Sequence, residues 1–543
     1  MFCDNQIWVG QSGEKRCCIQ LEMANRHGLI AGATGTGKTI TLKGMAESFS
    51  DAGVPVFLSD VKGDLAGMLK PGEETDDMKR RMERFGLAEA GFSLHAYPTE
   101  FWDLNGKRGL PLRTTVSEFG PLLLARLLEL NKIQSDLLDI VFRIADEEKL
   151  LLLDIKDLKA MLGFVEDHAA EYRPEYGNIG KASIGAIMRA LTSLEGRGGE
   201  LFFGEPALDI RDWFRTDENG RGMINILDAT ALFSDPAIYS TFMLWLLTEL
   251  FEKMPEVGDP EKPRIVFFFD EAHLLFDSAP RYLLQKIEQV MKLIRSKGIG
   301  VFFVTQNPAD IPDEVLSQLG NKVQHALRAY TPAEQKGVKA AALSFRKNPE
   351  FDTVKAVTEL RTGEAVVSFL QKDGSPSEAE RAAILPPQSK MGALDDLTRQ
   401  ASILSSSLRD KYAEITDRES AYEILLRKAA GEEALEREAE QDAAEEKARA
   451  RQEALDRKAA EKEAAAARKA AEKEAAAAER EKQREAAKRK RTLQSIGGAA
   501  AGSVGREIGN SIGKAAGGTF GKRIGGNVGA SLGRGILKTL LGL

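Results

Sequence analysis

The sequence predicts an α/β protein: a mostly parallel sheet covered by helices, with a helical insertion and a long charged C-terminal helix. Three observations predict it. Short apolar runs alternate with helical patterns over residues 1 to about 385, which is the texture of a sheet with helices on its faces. The runs are continuously apolar, as in strands buried on both faces. The composition then shifts to Ala, Glu, Lys and Arg.

In chain order, core strands are expected at His27–Ala31, Val54–Asp60, Met223–Asp228, Ile265–Asp270 and Val301–Thr305, and Lys322–Ala329 and Glu364–Phe369 extend the sheet. The long interval after the second run carries helical patterns at Gly120–Leu130, Ser135–Ala145 and Ser183–Glu195. A helical insertion over about residues 65–215 is therefore expected; as a lid, a partner surface or an oligomer contact it would serve equally well. Pro386-Pro387 closes the first domain, residues 1–385.

Residues 386–494 form a charged segment. Blocks such as Lys458–Lys473 hold strong helix formers and almost no large apolar residue. This favours a solvated helix with i,i+4 charge pairs over a coiled coil with an a/d seam. Residues 495–543 differ again: glycine recurs every fourth residue from Gly505 to Gly533, each preceded by an apolar residue, and Arg506, Lys514, Lys522, Arg523, Arg534 and Lys538 outnumber Glu507. That spacing keeps the glycines near one helical face and lets backbones approach. A self-packing or membrane-surface module is one expectation, a flexible tail the other.

Composition bounds the function. The chain has 543 residues and 43% hydrophobic content, room for two or three domains at roughly 100–200 residues each. A formal charge of -7 gives no global basic field for nucleic acid, though a local basic groove fits within that average. The three cysteines, Cys3, Cys17 and Cys18, form no CxxC pair, which argues against a metal site and suits a reducing compartment. The opening MFCDNQIWVG has neither the basic nor the apolar region of a secretory signal. No apolar run approaches the roughly 18 residues of a spanning helix. A cytoplasmic location is expected.

Gly32-Ala33-Thr34-Gly35-Thr36-Gly37-Lys38-Thr39 matches GxxxxGK[ST] in full. Glycines let backbone N–H groups turn inward around phosphates. Lys38 neutralises β/γ-phosphate charge, and the Thr39 hydroxyl coordinates Mg²⁺. The helix that follows points its positive end at the anion. With the adjoining Ile40, this stretch is the expected ATP-binding segment.

Arg264-Ile-Val-Phe-Phe-Phe-Asp270-Glu271-Ala-His273 supplies the other half. Asp270 ends an apolar strand, placed to hold the Mg²⁺ water shell, and Glu271 is placed to polarise the attacking water. By itself an acidic pair after a strand is a surface turn or a helix cap; the P-loop partner reverses that reading. Val301-Phe-Phe-Val-Thr305-Gln306 ends the next strand, and Gln306 stands at the edge where open α/β sheets bind ligands. With two candidate strands between the P-loop and Asp270, the pattern fits the additional-strand class of P-loop NTPase. No guanine-specifying NKxD stands at a suitable place.

These residues resemble the HerA-like branch of the HerA–FtsK group of hexameric ATPases. The motifs are GATGTGKT at Gly32–Thr39, SDVKGD at Ser59–Asp64, FFFDEAH at Phe267–His273, RSKGIGVFFVTQNPADIP at Arg295–Pro312 and LGNKVQHALRA at Leu319–Ala329. The resemblance covers most of residues 20–385. It implies a RecA-like core assembled as a hexameric ring, with ATP between subunits and an arginine from the neighbour completing each site. Arg295 is the first choice for that finger and Arg328 the second. Asp60 resembles the family's acid after the second strand, which touches the catalytic water network. The resemblance implies pumping or unwinding of duplex DNA.

The chain departs from the family in two places. About 30 residues precede the P-loop, too few for the family's N-terminal β-barrel, and the charged and glycine-periodic segments lie outside the shared core. Two functions are therefore expected to compete: a DNA translocase or helicase, and a ring ATPase acting on proteins or at membranes. A nucleotide-binding scaffold without turnover is disfavoured by Glu271.

Overall fold

The computed structural model describes residues 1–491 apart from 232–234, 277–280 and 330. The glycine-periodic segment lies outside the described residues. Thirteen strands form one sheet. They are β1 (Phe2–Cys3), β2 (Gln6–Ser12), β3 (Lys15–Gln20), β4 (Gly28–Ala31), β5 (Val56–Asp60), β6 (Thr99–Asp103) and β7 (Leu110–Pro111), then β8 (Ile224–Asp228), β9 (Ile265–Phe269), β10 (Ile299–Thr305), β11 (Asn321–His325), β12 (Glu364–Ser368) and β13 (Glu380–Ile384). All seven expected strands are present, within a few residues of their expected ends.

The sheet order is β1-β2-β13-β12-β11-β4-β10-β9-β5-β8-β6-β7, with β3 paired to β2. From β11 to β7 every neighbour is parallel; β12, β13 and the N-terminal strands pair antiparallel. β10 lies between β4, which leads into the P-loop, and β9, which leads into Asp270. That inserted strand is what defines the additional-strand, RecA-like arrangement.

The apolar strands are buried on both faces for a visible reason. In β9, Ile265, Phe267 and Phe269 join one core and Val266 and Phe268 the other, and all five are fully buried. The period-2 alternation of strand side chains sends neighbours to opposite layers. Helix Lys38–Asp51 covers one face through Leu42, Met45 and Phe49. Helices Val116–Leu127, Lys132–Glu147, Ile155–Asp167, Lys181–Gly196 and Pro236–Lys253 supply the core on the other. Burying each such phenylalanine stabilises the fold by roughly 1.5–3 kcal/mol. The segment expected to be helical from Gly120 is helical from Val116, with a break at Gly120 (φ 77°) before Pro121.

Six strands were not expected: β6 and β7, the N-terminal β1, β2 and β3, and β13. The interval after β5 is not purely helical, because β6 pairs with β8. Its Glu100 and Asp103 conceal it in sequence, since buried acids break the apolar pattern. Arg215 Nη2 donates to Glu100 at 3.0 Å, and the N–H groups of Lys107 and Arg108 donate to Asp103. The N-terminal hairpin β2–β3 enters the sheet through β13.

One compact unit spans Met1–Ala434, and a second runs from Leu435. In the first, the chain continues to pack beyond Pro387. Glu47 accepts the N–H groups of Gln388 and Ser389 at 2.7 and 3.1 Å. Tyr412 is fully buried edge-on to Trp102. Helix Ala421–Arg491 follows. Beyond Ala434 its described side chains are exposed, and Leu435 and Leu455 are its large apolar residues there. Two leucines twenty positions apart make no a/d seam. No helix among the described residues is long and apolar enough to cross a membrane.

His27 locks the start of β4. The N–H of Val301 donates to Nδ1 at 3.1 Å, and Nε2 donates to the Met291 carbonyl at 2.9 Å. Nδ1 must therefore stay unprotonated. Burial, opposed by the Met291 bond, lowers the pKa to about 4. An unfolded His27 gains a proton as pH falls below about 6.5, while the folded one waits until near 4. Its stabilising contribution is whole above the unfolded value and is lost as pH falls toward the folded one, by up to about 1.4 kcal/mol per pH unit. The unfolding free energy measured in urea between pH 7 and 5 is expected to depend less steeply on pH in His27→Asn than in the parent. Equal slopes would show that His27 does not titrate on unfolding.

Candidate functional site

The site lies at the C-terminal edge of the parallel strands, where open α/β sheets bind ligands. β4 ends at Ala31, and residues 32–37 turn into helix Lys38–Asp51. Gly37 has φ 117°, a conformation that favours glycine. A Cβ on Gly32 would meet His325 Cβ at 2.5 Å, so only glycine fits there. Strand ends brace the loop: the N–H groups of Gly32 and Ala33 donate to the carbonyls of Thr305 and Ala326, and the N–H of Gly363 donates to the Thr36 carbonyl. Lys38 Nζ donates to the carbonyls of Gly32 (2.7 Å) and Ala33 (3.2 Å). Burial, with the Lys62 charge adding to it, lowers Lys38 below the ordinary lysine value. Thr39 and Ile40 are half-buried in the first helical turn, while Thr34 and Gly35 are exposed at the loop tip.

His325 is the floor of this loop, and sequence reasoning missed it. Its Nδ1 lies 3.0 Å from the Glu364 carbonyl, which can only accept, so Nδ1 carries the proton. Nε2 then accepts from the Thr41 hydroxyl at 2.8 Å. Burial holds the imidazole neutral, with its pKa lowered to about 4. Local pattern gave no signal for it: β11 reads NKVQH, with Val323 its one apolar residue.

β9 delivers the carboxylates. The N–H of Asp270 donates to Ser59 Oγ at 3.0 Å, and Tyr239 OH donates to the Asp270 carbonyl at 2.6 Å. Ser59 Oγ and Tyr239 OH are themselves 3.0 Å apart. The Asp270 peptide is thus clamped on both sides. Burial, reinforced by the Glu271 charge, pushes the Asp270 carboxyl up to about 7. Glu271 adopts φ 48°, uncommon for a residue with a side chain, and its N–H donates to Asp270 Oδ1 at 2.9 Å.

The Glu271 side chain is 3% exposed, with Lys62 Nζ 3.1 Å from Oε1 and His273 Nδ1 3.4 Å from Oε2. Gln306 Nε2 lies 3.3 Å from both carboxylate oxygens, and Gln306 Oε1 accepts from Thr34 Oγ1 at 3.3 Å. Gln306 therefore joins the P-loop tip to Glu271. The fold brings together Gly32–Thr39, Asp270, Glu271 and Gln306, all expected from sequence.

Asp60 is placed differently from the expectation. Its carboxylate accepts the N–H groups of Gly63, Asp64 and Leu65 at 2.7–3.1 Å. It holds the turn that carries Lys62. Burial, with Asp64 adding to it, pushes its carboxyl up to about 6. Arg295 precedes β10, at the strand edge opposite the P-loop. Arg328 follows β11 and is exposed, with Nη1 donating to the Thr358 carbonyl at 3.3 Å. Neither arginine joins the cluster in its own chain.

The described residues contain no group of three or more His, Cys, Asp or Glu suited to a metal ion. One hydroxyl and a carboxylate pair instead suit Mg²⁺, which keeps waters and takes substrate phosphates as ligands. Thr39 and Asp270 are the residues that would hold it. An anion cradle, a buried lysine and a carboxylate beside the cradle are the equipment of a P-loop NTP hydrolase.

Known proteins similar to this chain were found by sequence and by structure. The chain is 25% identical over 358 residues to the DNA double-strand break repair helicase HerA of Sulfolobus acidocaldarius, covering 64% of this chain and 63% of that protein. It is 28% identical over 149 residues to the protein of the same name from Sulfurisphaera tokodaii, covering 27% of this chain and 29% of that one. The chain thus spans less than two thirds of either relative's length. Among solved structures, the bacterial conjugative coupling protein TrwBdeltaN70 aligns with a TM-score of 0.47 at 16% identity, over 72% of this chain and 91% of that one. A family model described as Helicase HerA-like C-terminal matches residues 6–541. With nearly the whole sequence matched and the P-loop, Asp270 and Glu271 assembled on an additional-strand sheet, the chain belongs to the HerA-like helicase C-terminal family.

Proposed function

We propose that this protein hydrolyses ATP with Mg²⁺ and uses the energy to move along duplex DNA as a ring of identical subunits, six in number. The observation that carries the hydrolytic half is the buried Glu271 carboxylate, set beside Asp270 and tied through Gln306 to the P-loop tip. A protein that only bound nucleotide would have no use for it. In this reading Lys38 and the loop residues 32–40 hold the phosphates, Thr39 and Asp270 hold Mg²⁺, and Glu271 takes the proton of the attacking water. Gln306 senses the terminal phosphate, and Asp60 acts by shaping the turn after β5. The DNA half rests on family membership and on the HerA relatives, which are named as DNA repair helicases. The three cysteines are free thiols, and we place the protein in the cytoplasm.

Arg295 lies at the edge away from its own P-loop, where it is free to serve a neighbour's site. Arg295→Ala is expected to bind nucleotide, to lose turnover, and to regain part of it when mixed with Lys38→Ala, because a mixed ring pairs an intact P-loop with an intact arginine. Absence of rescue would pass the role to Arg328.

The DNA reading is tested by the affinity for linear duplex DNA in the presence of a non-hydrolysable ATP analogue. Binding is expected to weaken as salt rises, in proportion to the number of phosphates contacted. Failure to bind duplex at low salt would favour the second reading, a ring ATPase acting on proteins or at membranes. The basic, glycine-periodic segment 495–543 supports that reading.

A further inference from the structure

Lys62 is the one lysine or arginine in an ion pair with Glu271 among the described residues. Its side chain is 42% exposed, whereas that of Glu271 is 3% exposed. The turn beneath it is fixed, since Asp60 accepts three successive backbone N–H groups, from Gly63, Asp64 and Leu65. Gly63 takes φ 75° within that turn. The backbone at Lys62 is therefore held in place, while its four-carbon stem and rotating ammonium remain free to change partners. Gln306 bonds both the same carboxylate and Thr34 at the P-loop tip, so the Lys62 ammonium stands beside the phosphate cradle. Glu271 does not depend on Lys62 alone, because Gln306 Nε2 reaches both of its oxygens.

We propose that Lys62 is a second phosphate-binding lysine of this site, exchanged between the Glu271 carboxylate and the terminal phosphate of a nucleoside triphosphate. The inference rests on the nucleotide-site reading above and extends it to a residue outside the P-loop. The terminal phosphate offers more negative charge than one carboxylate and competes for the ammonium. The exchange does two things at once. It adds a cation where charge develops during phosphoryl transfer, and it frees a carboxylate lone pair of Glu271 to accept a proton from water. A diphosphate lacks the competing group and leaves Lys62 on Glu271. The site thereby distinguishes triphosphate from diphosphate within one chain.

The test is equilibrium binding of fluorescent ATPγS and fluorescent ADP, both with Mg²⁺, to the full chain. Lys62→Ala is expected to weaken ATPγS binding about tenfold, the size of one hydrogen bond to a charged group, and ADP binding at most about twofold. Lys62→Arg is expected to keep most of the preference for triphosphate. Glu271→Gln is expected to tighten ATPγS binding by releasing the ammonium, and most of that gain should vanish in the Lys62→Ala, Glu271→Gln double variant. An unchanged ratio of the two affinities in Lys62→Ala would overturn the proposal, as would a full Glu271→Gln gain in the double variant. If the parent protein binds neither nucleotide, the nucleotide-site reading itself falls, and the proposal with it.

Discussion

Glu271→Gln is expected to bind ATP at least as well as the parent and to hydrolyse it about 10²- to 10⁴-fold more slowly, the range that a positioned general base contributes. Three features support so large an effect from two atoms. The carboxylate is buried, so water does not substitute for it. Its backbone sits at φ 48° beside an Asp270 peptide clamped by Ser59 and Tyr239, which fixes the direction of the side chain. Its contacts to Lys62 and Gln306 place it next to the cradle rather than on the surface. An amide keeps the shape and accepts one hydrogen bond from Gln306, so the fold and the bound nucleotide should persist. The check is phosphate release under single-turnover conditions, beside a direct binding titration. Turnover within a factor of three of the parent would mean that another group activates the water.

Lys38→Ala carries the second large effect, of a different kind. The ammonium lies against the carbonyls of Gly32 and Ala33, inside the loop that phosphates enter. Removing it deletes a charge-assisted hydrogen bond worth about 1.5–3 kcal/mol and leaves the β/γ-phosphate charge without its nearest fixed cation. Nucleotide affinity is expected to fall roughly 10- to 150-fold, with turnover below detection. The shape of the loop should survive, because its backbone is held by Thr305, Ala326 and Gly363 rather than by Lys38 alone. Hydrolysis at the parent rate would refute the P-loop assignment.

The parts legible in the sequence are those where one residue type answers one local demand. Glycine at 32 and 37 follows from a tight turn around phosphates, and the run from Ile265 to Phe269 follows from burial on both faces. Their companions are set by neighbours distant in the chain, and local pattern does not encode those. Lys62 and Glu271 meet because β5 and β9 are adjacent in the sheet, across 209 residues of sequence. His325 reaches beneath the P-loop because β11 pairs with β4. Asp60 carries the acid that the resemblance anticipates, but its oxygens are taken up by the turn it ends.

Strand β6 and the chain after Pro387 were illegible for a related reason. Both carry charges that interrupt an apolar pattern and that partners within the fold satisfy. Arg399 is an example: it follows Asp395 and Asp396 in a polar stretch, yet it is buried, with Nη1 3.0 Å from Asp228 at the end of β8. A pattern of charges in sequence reads as a solvated surface unless the opposing charge is visible.

The most direct measurement is steady-state phosphate release from ATP by the purified protein, with and without linear duplex DNA, using Glu271→Gln as the blank. Release is expected to rise when duplex is added and to disappear in the blank. Release equal in the parent and in Glu271→Gln, under both conditions, would contradict that expectation.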